Sequence, residues 1–573
     1  MCRPLTLPRL MRAAVLPLVV CMTAAGARPG PQTVCTITIN SADERDVFRR
    51  HLPAGQYRFV ELVERNRSDW LASACRAAVR CEMLIVSGHY DGGTEFYSDQ
   101  VEEREFLPVD ELERVSCSDS CAGLFAGLKE VYLFGCNTLN PLPLRRWTAE
   151  IVRSLMRDGH SRREAELRLR SLNAAHGQSS LDRMRLVFKD VPVIYGFSSM
   201  APLGSMAGAK LDGYLRATSA GEIGSGRASH RLLAHFAGHG MTATKGMTDH
   251  DPHAQARSDV CRFVDERVHD AAKLRFVHQL LRRQTAQARV HLDRIERFAR
   301  SLDDPARRTP EVAQAIDEIA RDTATGIRFL EFARDADEPG VRARMLEVAH
   351  DLGWLSVDER LDELVRMLVE LQARPRVGLT ELNLACMLNR QYELDRAITA
   401  PAAHARPVAP ADATAHDALR ACLGSAEARA RTLQALVSPR EADVAIAQAY
   451  LRHRQITDLG ELRTVTDAIA GMRPPAAQVR ALEALGRHHV AHREILERLV
   501  RLFEQTPSAA VQAAVAGVLI RSDTRAFERE ELTRTLRQHR LRSPDGNDVI
   551  DLLIRILQSS QPVDAARGHA SAE

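Results

Sequence analysis

Two short apolar segments, each followed by glycine and a chemically reactive side chain, indicate the fold of the N-terminal part of this chain. The first is MLIVSGHYDGG at residues 83–93, and the second is VYLFGCNT at residues 131–138. Both begin with an unbroken apolar run, which is typical of parallel strands that are buried on both faces. The sequence therefore predicts a sheet in which these two runs are interior strands.

Further segments of the same kind surround these two runs. Short β-rich stretches alternate with amphipathic stretches from Val34 to about Leu215. This alternation predicts an α/β domain with a mainly parallel sheet and right-handed crossovers. A capping-box pattern at Ser41–Glu44 marks the start of the first helix. The other strands are expected at residues 36–39, 57–63 and 191–197, and the other helices at residues 68–80, 144–188 and 211–215.

The chain beyond residue 260 has a different pattern, without a convincing strand. It is rich in Ala, Leu, Glu and Arg at helical spacing, and prolines between residues 401 and 410 separate two helical blocks. Similar helices begin at Val444, Val479 and Val511, at steps of 35 and 32 residues. This region resembles HEAT repeats, which implies a solenoid with a long surface for a partner protein. The alternative is a generic helical bundle.

The N-terminus has the pattern of an export signal. Arginines precede an apolar run at residues 13–25, and Ala25-Gly26-Ala27 offers a small-x-small cleavage site. The run contains Pro17 and is too short to span a bilayer, so a signal peptide is favoured over an anchor helix. A lipoprotein at Cys21 is less favoured because the bulky Val20 precedes it. We therefore expect a periplasmic or secreted protein without a membrane span.

These patterns together predict the organisation of the whole chain. The α/β domain and the helical regions are separated by segments rich in Gly, Pro and polar residues. The expected parts are a signal peptide at 1–27, an α/β domain at 34–237, a linker at 238–259, a helical region at 260–398, a Pro-rich linker at 399–415, a HEAT-like region at 416–557 and a disordered tail at 558–573.

The cysteine count carries information because export implies an oxidising compartment. Nine cysteines remain after Cys2 and Cys21 are removed with the signal, so at least one thiol has no internal partner. Cys117 and Cys121 lie close in sequence, which predicts a local disulfide. A zinc site there is disfavoured because the segment has no C-x-x-C pair. Cys136 is a candidate for the unpaired thiol.

Charge and motif content exclude several classes of function. The chain has 78 Lys and Arg against 75 Asp and Glu, and the net charge is +3. Basic and acidic residues are interspersed, which argues against a nucleic-acid-binding surface. No G-x-x-x-x-G-K-[ST] loop is present, so phosphate binding is unsupported and we expect no cofactor. The histidines between His230 and His253 include a pair four residues apart, but without the glutamate of H-E-x-x-H they favour a polar linker over a metal site.

His89 and Cys136 are the residues best placed for chemistry. Each follows the end of an apolar run, and parallel strands bring their carboxyl ends to one edge, where α/β sheets bind ligands. An imidazole beside a thiol lowers its pKa or takes its proton during attack. Backbone N–H groups near Gly88, Gly92, Gly93 and Gly135 are candidates to stabilise an oxyanion and to border a substrate.

A buried strand ending in His near glycines, and a second ending in a small residue and Cys, resembles the caspase-like cysteine peptidases, including the CHAT-type proteases. The 47 residues between His89 and Cys136 agree with the roughly 50 residues of the caspase pattern. The resemblance implies that Cys136 is the nucleophile and His89 the general base or acid. It also implies that Ser198, after the strand at 191–197, borders the substrate cleft. Tyr90 is also expected to border the cleft, although it departs from the family pattern, which has Gly directly after His.

The sequence-based hypothesis is therefore an exported cysteine endopeptidase that acts on polypeptides. One alternative is an inactive caspase-like fold that serves with the helical region as a protein-interaction scaffold, which Tyr90 favours. A second is an envelope protein in which Cys136 is disulfide-bonded. The acidic residues Asp91, Glu95 and Asp99 after His89 are expected to be solvated loop carboxylates, with orientation of the imidazole or binding of a basic side chain as the alternative.

Overall fold

The computed structural model of the protein describes most of the chain after residue 29. The predicted signal peptide, residues 400–407 of the predicted Pro-rich linker and residues 560–573 of the predicted tail lie outside the described residues. No helix of the described part is long and apolar enough to cross a bilayer. The described residues are 30–62, 71–98, 105–118, 121, 123–142, 149–157, 159–175, 179–202, 204–218, 220–283, 285–399, 408–487, 490–523, 527–542 and 548–559.

The chain divides into two compact units. The first comprises residues 1–146 and 173–267, and the second comprises residues 147–172 and 268–573. In the described residues, every strand belongs to the first unit, and the second is helical. The prediction of an α/β domain followed by a long helical region is confirmed at this level. Residues 147–172, which the sequence places inside the α/β domain, belong to the helical unit.

The strands of the described residues are β1 (Gln32–Thr38), β2 (Tyr57–Glu61), β3 (Met83–Ser87), β4 (His89–Tyr90), β5 (Glu95–Tyr97), β6 (Phe106–Pro108), β7 (Glu130–Phe134), β8 (Val193–Phe197) and β9 (Met241–Thr244). Six of them form one sheet with the spatial order β2-β1-β3-β7-β8-β9. All neighbours are parallel except the last pair, in which the final strand runs antiparallel at the edge.

The central strands are buried on both faces, as their composition predicts. Leu84 and Val86 of β3 belong to the apolar core on one face, and Met83 and Ile85 belong to the core on the other. Alternate side chains of a strand point to opposite faces, so an unbroken apolar run fits a strand between two cores. The helices of this unit are α1 (Asp43–His51), α2 (Ala72–Arg76), α3 (Val109–Cys117), α6 (Ser180–Val187), α7 (Gly204–Arg216), α8 (His230–His235) and α9 (Ala254–Val264).

A second, three-stranded antiparallel sheet follows β3 directly and was not predicted from the sequence. It consists of β4, β5 and β6, in which His89 pairs with Tyr97 and Phe96 pairs with Leu107. These strands have two or three residues each. Such segments are too short to display a periodic pattern.

The prediction of a linker at residues 238–259 is wrong. The segment contains β9, whose residues Met241–Thr244 pair with β8, and it ends inside α9. Gly240 has φ of 66°, a left-handed conformation that glycine adopts without strain at the turn into the strand. The segment at residues 238–259 is rich in Gly, Thr and His, which favours a loop, but four of its residues suffice for an edge strand.

The second unit is built from consecutive helices. Neighbouring helices pack in pairs, and alternate helices also contact one another, for example α22 with α24 and α23 with α25. The helices are α4 (Ala149–Arg157), α5 (Arg162–Ala175), α10 (Asp270–Arg283), α11 (Thr285–Ser301), α12 (Asp304–Arg307), α13 (Pro310–Ala320), α14 (Thr323–Arg334), α15 (Pro339–Asp351), α16 (Val357–Gln372), α17 (Leu379–Tyr392), α18 (Arg396–Thr399), α19 (Ala413–Cys422), α20 (Ala426–Gln434), α21 (Glu441–Leu451), α22 (Leu459–Ala470), α23 (Pro475–Leu485), α24 (Arg493–Gln505), α25 (Ala509–Ile520), α26 (Arg529–His539) and α27 (Val549–Ser559).

Eight of the nine cysteines after residue 30 form disulfides, which is expected of a protein that folds in an oxidising compartment. The predicted Cys117–Cys121 bridge is wrong, because each of these residues is bonded to a distant cysteine. Helix α3 holds Cys117 and presents it to α9, so the local pairing is replaced by one that joins two helices. The pairs are Cys35–Cys81, Cys75–Cys121, Cys117–Cys261 and Cys386–Cys422.

Candidate active site

The register of the two central strands brings His89 and Cys136 to the same edge of the sheet. Ser87 of β3 is aligned with Phe134 of β7, and the Gly88 N–H donates to the Phe134 carbonyl at 3.2 Å. His89 and Cys136 are each two residues beyond this aligned pair. The carboxyl ends of β3 and β7 therefore bring both residues to one edge of the sheet.

Both residues line one small cleft at this edge of the sheet. Cys136 is half-buried, and it is the cysteine of the described residues that is not in a disulfide. The thiol thus keeps its nucleophilic sulfur in a protein whose other described cysteines are oxidised. The cleft is lined by Asn40, Ser41, Glu44, Ser87, Gly88, His89, Phe134, Gly135, Cys136, Ala201, Pro202 and Gly204.

A tight turn after β7 fixes the position of Cys136. Asn137 has φ of 59°, in the left-handed region, and its N–H donates to the Ser199 carbonyl at 2.8 Å. Thr138 is fully buried, and its hydroxyl donates to the Gly135 carbonyl at 3.1 Å while it accepts from the Phe197 N–H at 3.0 Å. These bonds anchor the turn to the end of β8, so the thiol is held on rigid backbone.

Gly135 is required by close packing beneath the cleft. A Cβ at this position would lie 2.9 Å from the Gly88 carbonyl oxygen and 3.0 Å from the Tyr90 Cβ. Any larger residue would push apart the two strand ends that carry His89 and Cys136. The sequence analysis expected backbone to approach a substrate at Gly135, whereas the structure also uses this glycine for contact between the strands.

His89 is oriented by the small sheet that follows β3. It is the first residue of β4 and pairs with Tyr97 of β5, and the two rings stack with centroids 5.4 Å apart. The Tyr97 ring therefore supports one face of the imidazole.

Glu44 is a third titratable group in the cleft, and the sequence analysis did not identify it as a site residue. The predicted capping box is wrong, because Ser41 bonds to Asp43 and the N-cap of α1 is Ala42, without a side-chain bond. Glu44 is only 3% exposed, and its Oε2 accepts a hydrogen bond from no described residue. Burial raises the pKa of this carboxyl to about 7, although its own backbone N–H and the Ser87 hydroxyl oppose the shift.

The loop after β4 is organised by Asp91, which accepts hydrogen bonds from the backbone N–H groups of residues 93–95 at 2.7 to 3.1 Å. These bonds lower the pKa of the Asp91 carboxyl against the opposing effect of burial. Asp91 is exposed, as expected of a loop carboxylate, and its Oδ1 in addition holds the turn together. Glu95 lies in β5, and Asp99 lies outside the described residues.

Helix α6 clamps the same loop from the opposite side. The Ser180 hydroxyl donates to the Gly92 carbonyl at 2.7 Å, and the Arg183 guanidinium donates to the Gly93 carbonyl. Arg183 is also paired with the fully buried Glu113 at 3.0 Å and with Asp110 at 2.8 Å. The mutual attraction of these charges raises the pKa of Arg183 against its desolvation, so the clamp is charged.

Four residues that the sequence analysis assigned to the cleft do not line it. Gly92 and Gly93 belong to the clamped loop, and Tyr90 is 4% exposed and packs on Phe96. Burial raises the pKa of Tyr90 to about 12. The Ser198 hydroxyl donates to the Gly240 carbonyl at 3.0 Å, so this residue links β8 to β9. These residues were expected at the cleft because they follow strand ends in the sequence. The local turns place them in other contacts.

The described residues offer no group of three His, Cys, Asp or Glu side chains able to hold a metal ion. His235 ends α8 while His239 lies in the following 3₁₀ turn, so the pair does not share one helix face. Cys117 and Cys121 are both in disulfides.

The sequence signal that identifies Glu44 is its spacing from a strand end. Glu44 lies six positions after the end of β1, which is the neighbour of β3 in the sheet. His89 and Cys136 each lie two positions after the end of their own strands. Such a residue is recognisable only once the strand order is known. No protein-family model, no curated protein and no solved structure matches the chain.

Proposed function

We propose that the protein is an exported cysteine endopeptidase that uses Cys136 as nucleophile and His89 as general base and acid. The observation that carries the proposal is the shared cleft, which is lined by both a free cysteine and a histidine that follow the ends of adjacent parallel strands. Nucleophilic catalysis requires this arrangement of thiol and base. The proposal places the chain with the caspase-like peptidases, which it resembles in these strands.

The reaction follows from the groups in the cleft. A ring nitrogen of His89 takes the Cys136 proton, and the sulfur attacks the peptide carbonyl carbon to give a tetrahedral oxyanion. The C–N bond then breaks, and the imidazolium gives its proton to the leaving amine. A water molecule, deprotonated by His89, attacks the thioester and releases the carboxylic acid, and the proton returns to the sulfur. No cofactor enters this sequence.

The Cys136 N–H is the donor best placed to stabilise the oxyanion. It donates to no described residue, whereas the N–H groups of residues 93–95 are consumed by Asp91. The turn that holds Cys136 places this residue in the lining of the cleft. Preorganised amides of this kind typically contribute about 10²-fold or more to acyl-transfer rates.

Glu44 favours substrates with a basic side chain. A buried carboxyl with an oxygen that accepts a bond from no described residue gains most from a ligand that supplies positive charge and donors. An arginine or lysine side chain in the cleft meets both needs and ionises the carboxyl. The proposed substrate class is therefore a polypeptide cut next to a basic residue.

An electrophilic peptide probe tests the proposal on the full mature chain. An arginine-containing acyloxymethyl ketone is expected to modify one thiol, at Cys136, as read by peptide mass mapping. His89→Ala should slow this modification at least about hundredfold, which is the usual scale of general-base assistance. His250→Ala, at an exposed histidine outside the cleft, is the matched control and should react normally.

The same experiment examines a second function, a catalytically inactive fold that acts with the helical unit as a scaffold. The residue after His89 is the bulky, buried Tyr90, which favours this candidate. Modification of other residues at equal rate, or no modification, would favour the scaffold and reject the peptidase. The HEAT-like character of the helical unit belongs to both proposals, since stacked helix pairs present a long surface to a substrate or partner.

A further inference from the structure

A second concave site lies in the helical unit, far from any residue of the proposed reaction in sequence. It is an open groove lined by the end of α22, the following turn, the start of α23, and α24 with the turn that follows it. Most of the lining is polar and includes Arg473, Arg498 and Arg501, while Met472 and Leu502 contribute apolar surface. The proposed peptidase does not require this groove.

The groove lies where the next helix pair has a buried glutamine amide that is fully hydrogen-bonded. There, Gln512 is fully buried, and its Nε2 donates to the Phe503 carbonyl at 2.9 Å and to the His539 carbonyl at 2.8 Å. Its Oε1 accepts from the Leu541 N–H at 2.9 Å. A segment of polypeptide backbone, residues 539–541, therefore fills the space beside this amide.

Gln478 is the equivalent residue, 34 positions earlier, but its amide is only partly satisfied. Its Nε2 donates to the Ile469 carbonyl at 2.9 Å, as Gln512 does to Phe503. The position equivalent to Leu541 is Pro507, which has no N–H to donate. Gln478 is only 6% exposed, lines the groove, and receives a hydrogen bond at Oε1 from no described residue. The space beside the Gln478 amide is thus open, whereas backbone at residues 539–541 fills the equivalent space beside Gln512.

The charge around the opening is positive and specific to this repeat. Arg498 is paired with Asp467 and with Glu494, which neutralises it. Arg473 and Arg501 are exposed, and no acidic residue of the described part forms an ion pair with either of them. The residue equivalent to Arg501 in the next repeat is Thr535. Two guanidinium groups therefore border the opening without a carboxylate partner.

We propose that this groove binds an acidic peptide segment of a partner protein. A backbone N–H of the segment donates to Gln478 Oε1 and replaces the contact that Leu541 makes in the next repeat. Aspartate or glutamate side chains pair with Arg473 and Arg501, since guanidinium binds carboxylate with two parallel hydrogen bonds. Apolar side chains of the segment pack on Met472 and Leu502. The lining contains no aromatic residue on which nucleic-acid bases stack, which favours a peptide over a nucleic acid.

Fluorescence anisotropy with the full mature chain tests the proposal. The chain carries Cys136→Ala, so that cleavage does not enter the measurement and the result is independent of the proposed peptidase. The probe is a fluorescein-labelled peptide of alternating leucine and aspartate, and its lysine counterpart and an oligonucleotide of equal charge are compared. We expect saturable binding of the acidic peptide alone.

Variants then locate the site. The double variant Arg473→Glu/Arg501→Glu should raise the Kd at least about tenfold, because reversal turns two attractions into repulsions. The matched control is Arg534→Glu/Arg537→Glu, at two exposed arginines of α26 that do not line the groove, and it should bind normally. N-methylation of one particular backbone amide of the probe should weaken binding, whereas methylation of the others should not. Absence of saturation, equal weakening in both double variants, or tighter binding of the oligonucleotide would overturn the proposal.

Discussion

Buried carboxyl groups with different surroundings lie near the two ends of strand β7: Glu130 is its first residue, and Glu44 of α1 lines the cleft beyond its last residue. At the amino end, Glu130 is 1% exposed, and it accepts hydrogen bonds from the Tyr132 hydroxyl at 2.5 Å and from the N–H groups of Gly224 and Gly226 at 2.9 and 3.0 Å. At the carboxyl end, Glu44 is as deeply buried, yet one of its oxygens accepts a hydrogen bond from no described residue. The pKa of both groups is raised, chiefly by burial.

The difference separates a structural carboxyl from one available to a ligand. The Glu130 oxygens accept hydrogen bonds from Gly224 and Gly226, so the loop at residues 224–226 is anchored against the sheet. Glu44 keeps its capacity for a hydrogen bond inside the cleft that contains Cys136. Unsatisfied polar groups are costly in a folded protein, and they persist where a function uses them.

The largest expected effect concerns a third buried acidic residue, Glu113, which forms an ion pair with Arg183. Arg183→Leu removes the guanidinium partner of this fully buried side chain. We expect the free energy of unfolding to fall by about 4 kcal/mol, as for other broken buried ion pairs. Urea denaturation measures this loss.

A matched variant distinguishes the charge from the clamp of the loop after His89. Arg183→Lys keeps the charge but loses the fork that reaches Glu113, Asp110 and the Gly93 carbonyl. Compared with Arg183→Leu, this variant should regain much of the free energy of unfolding. The peptide probe should still modify Cys136 more slowly than in the natural chain. Full recovery of that rate would show that the clamp has no part in positioning the cleft.

The next effect tests the structural end of the strand. Glu130→Ala leaves the Tyr132 hydroxyl and two backbone N–H groups without their acceptor, so we expect a loss of about 3 kcal/mol in unfolding free energy. The peptide probe should still modify Cys136 in the folded fraction. An unchanged free energy of unfolding would mean that the hydrogen bonds to Glu130 do not stabilise the fold, which contradicts its structural role.

The smallest effect concerns Glu44 and depends on pH. Its pKa in the folded chain is about 7 against 4.5 for the ordinary carboxyl, so the folded state binds more protons between these values. The stabilisation associated with the protonated form is therefore present below pH 4.5 and is lost as the pH rises through 7. Because one pKa unit corresponds to about 1.4 kcal/mol, the protein loses about 2.5 kcal/mol of stability at this group between pH 5 and pH 8.

Glu44→Gln removes this titration. The variant should gain about 2.5 kcal/mol relative to the natural chain when urea denaturation at pH 8 is compared with pH 5. Measurement of the difference between the two chains cancels the titration of the other groups. A gain of the same size at both pH values would contradict the assignment of the raised pKa to Glu44.

The amino-acid sequence predicts the elements whose pattern is long or unbroken. The apolar runs of β3 and β7 identify interior strands, and parallel pairing then follows from the intervening helices. The odd number of cysteines predicts an unpaired thiol, and the structure assigns it to Cys136. These features depend on periodicity and composition, which are local properties of the chain.

The remainder of the site depends on contacts that local pattern does not contain. The strands of the small sheet have two or three residues, so His89 looked like a loop residue. Glu44 has the sequence context of a helix cap, and only packing of α1 against the sheet turns it toward the cleft. Disulfide partners are likewise set by the fold, which is why proximity in sequence gave a wrong pairing for Cys117.

The bridge between Cys117 and Cys261 has a practical consequence for work with isolated fragments. A truncation at residue 237, the end of the α/β domain expected from composition, removes the edge strand β9 and the only described partner of the Cys117 thiol. The exposed sulfhydryl would then compete with Cys136 for alkylating reagents and promote crosslinked aggregates. Fragments intended for labelling or crystallisation should therefore extend to residue 267, where the first compact unit ends.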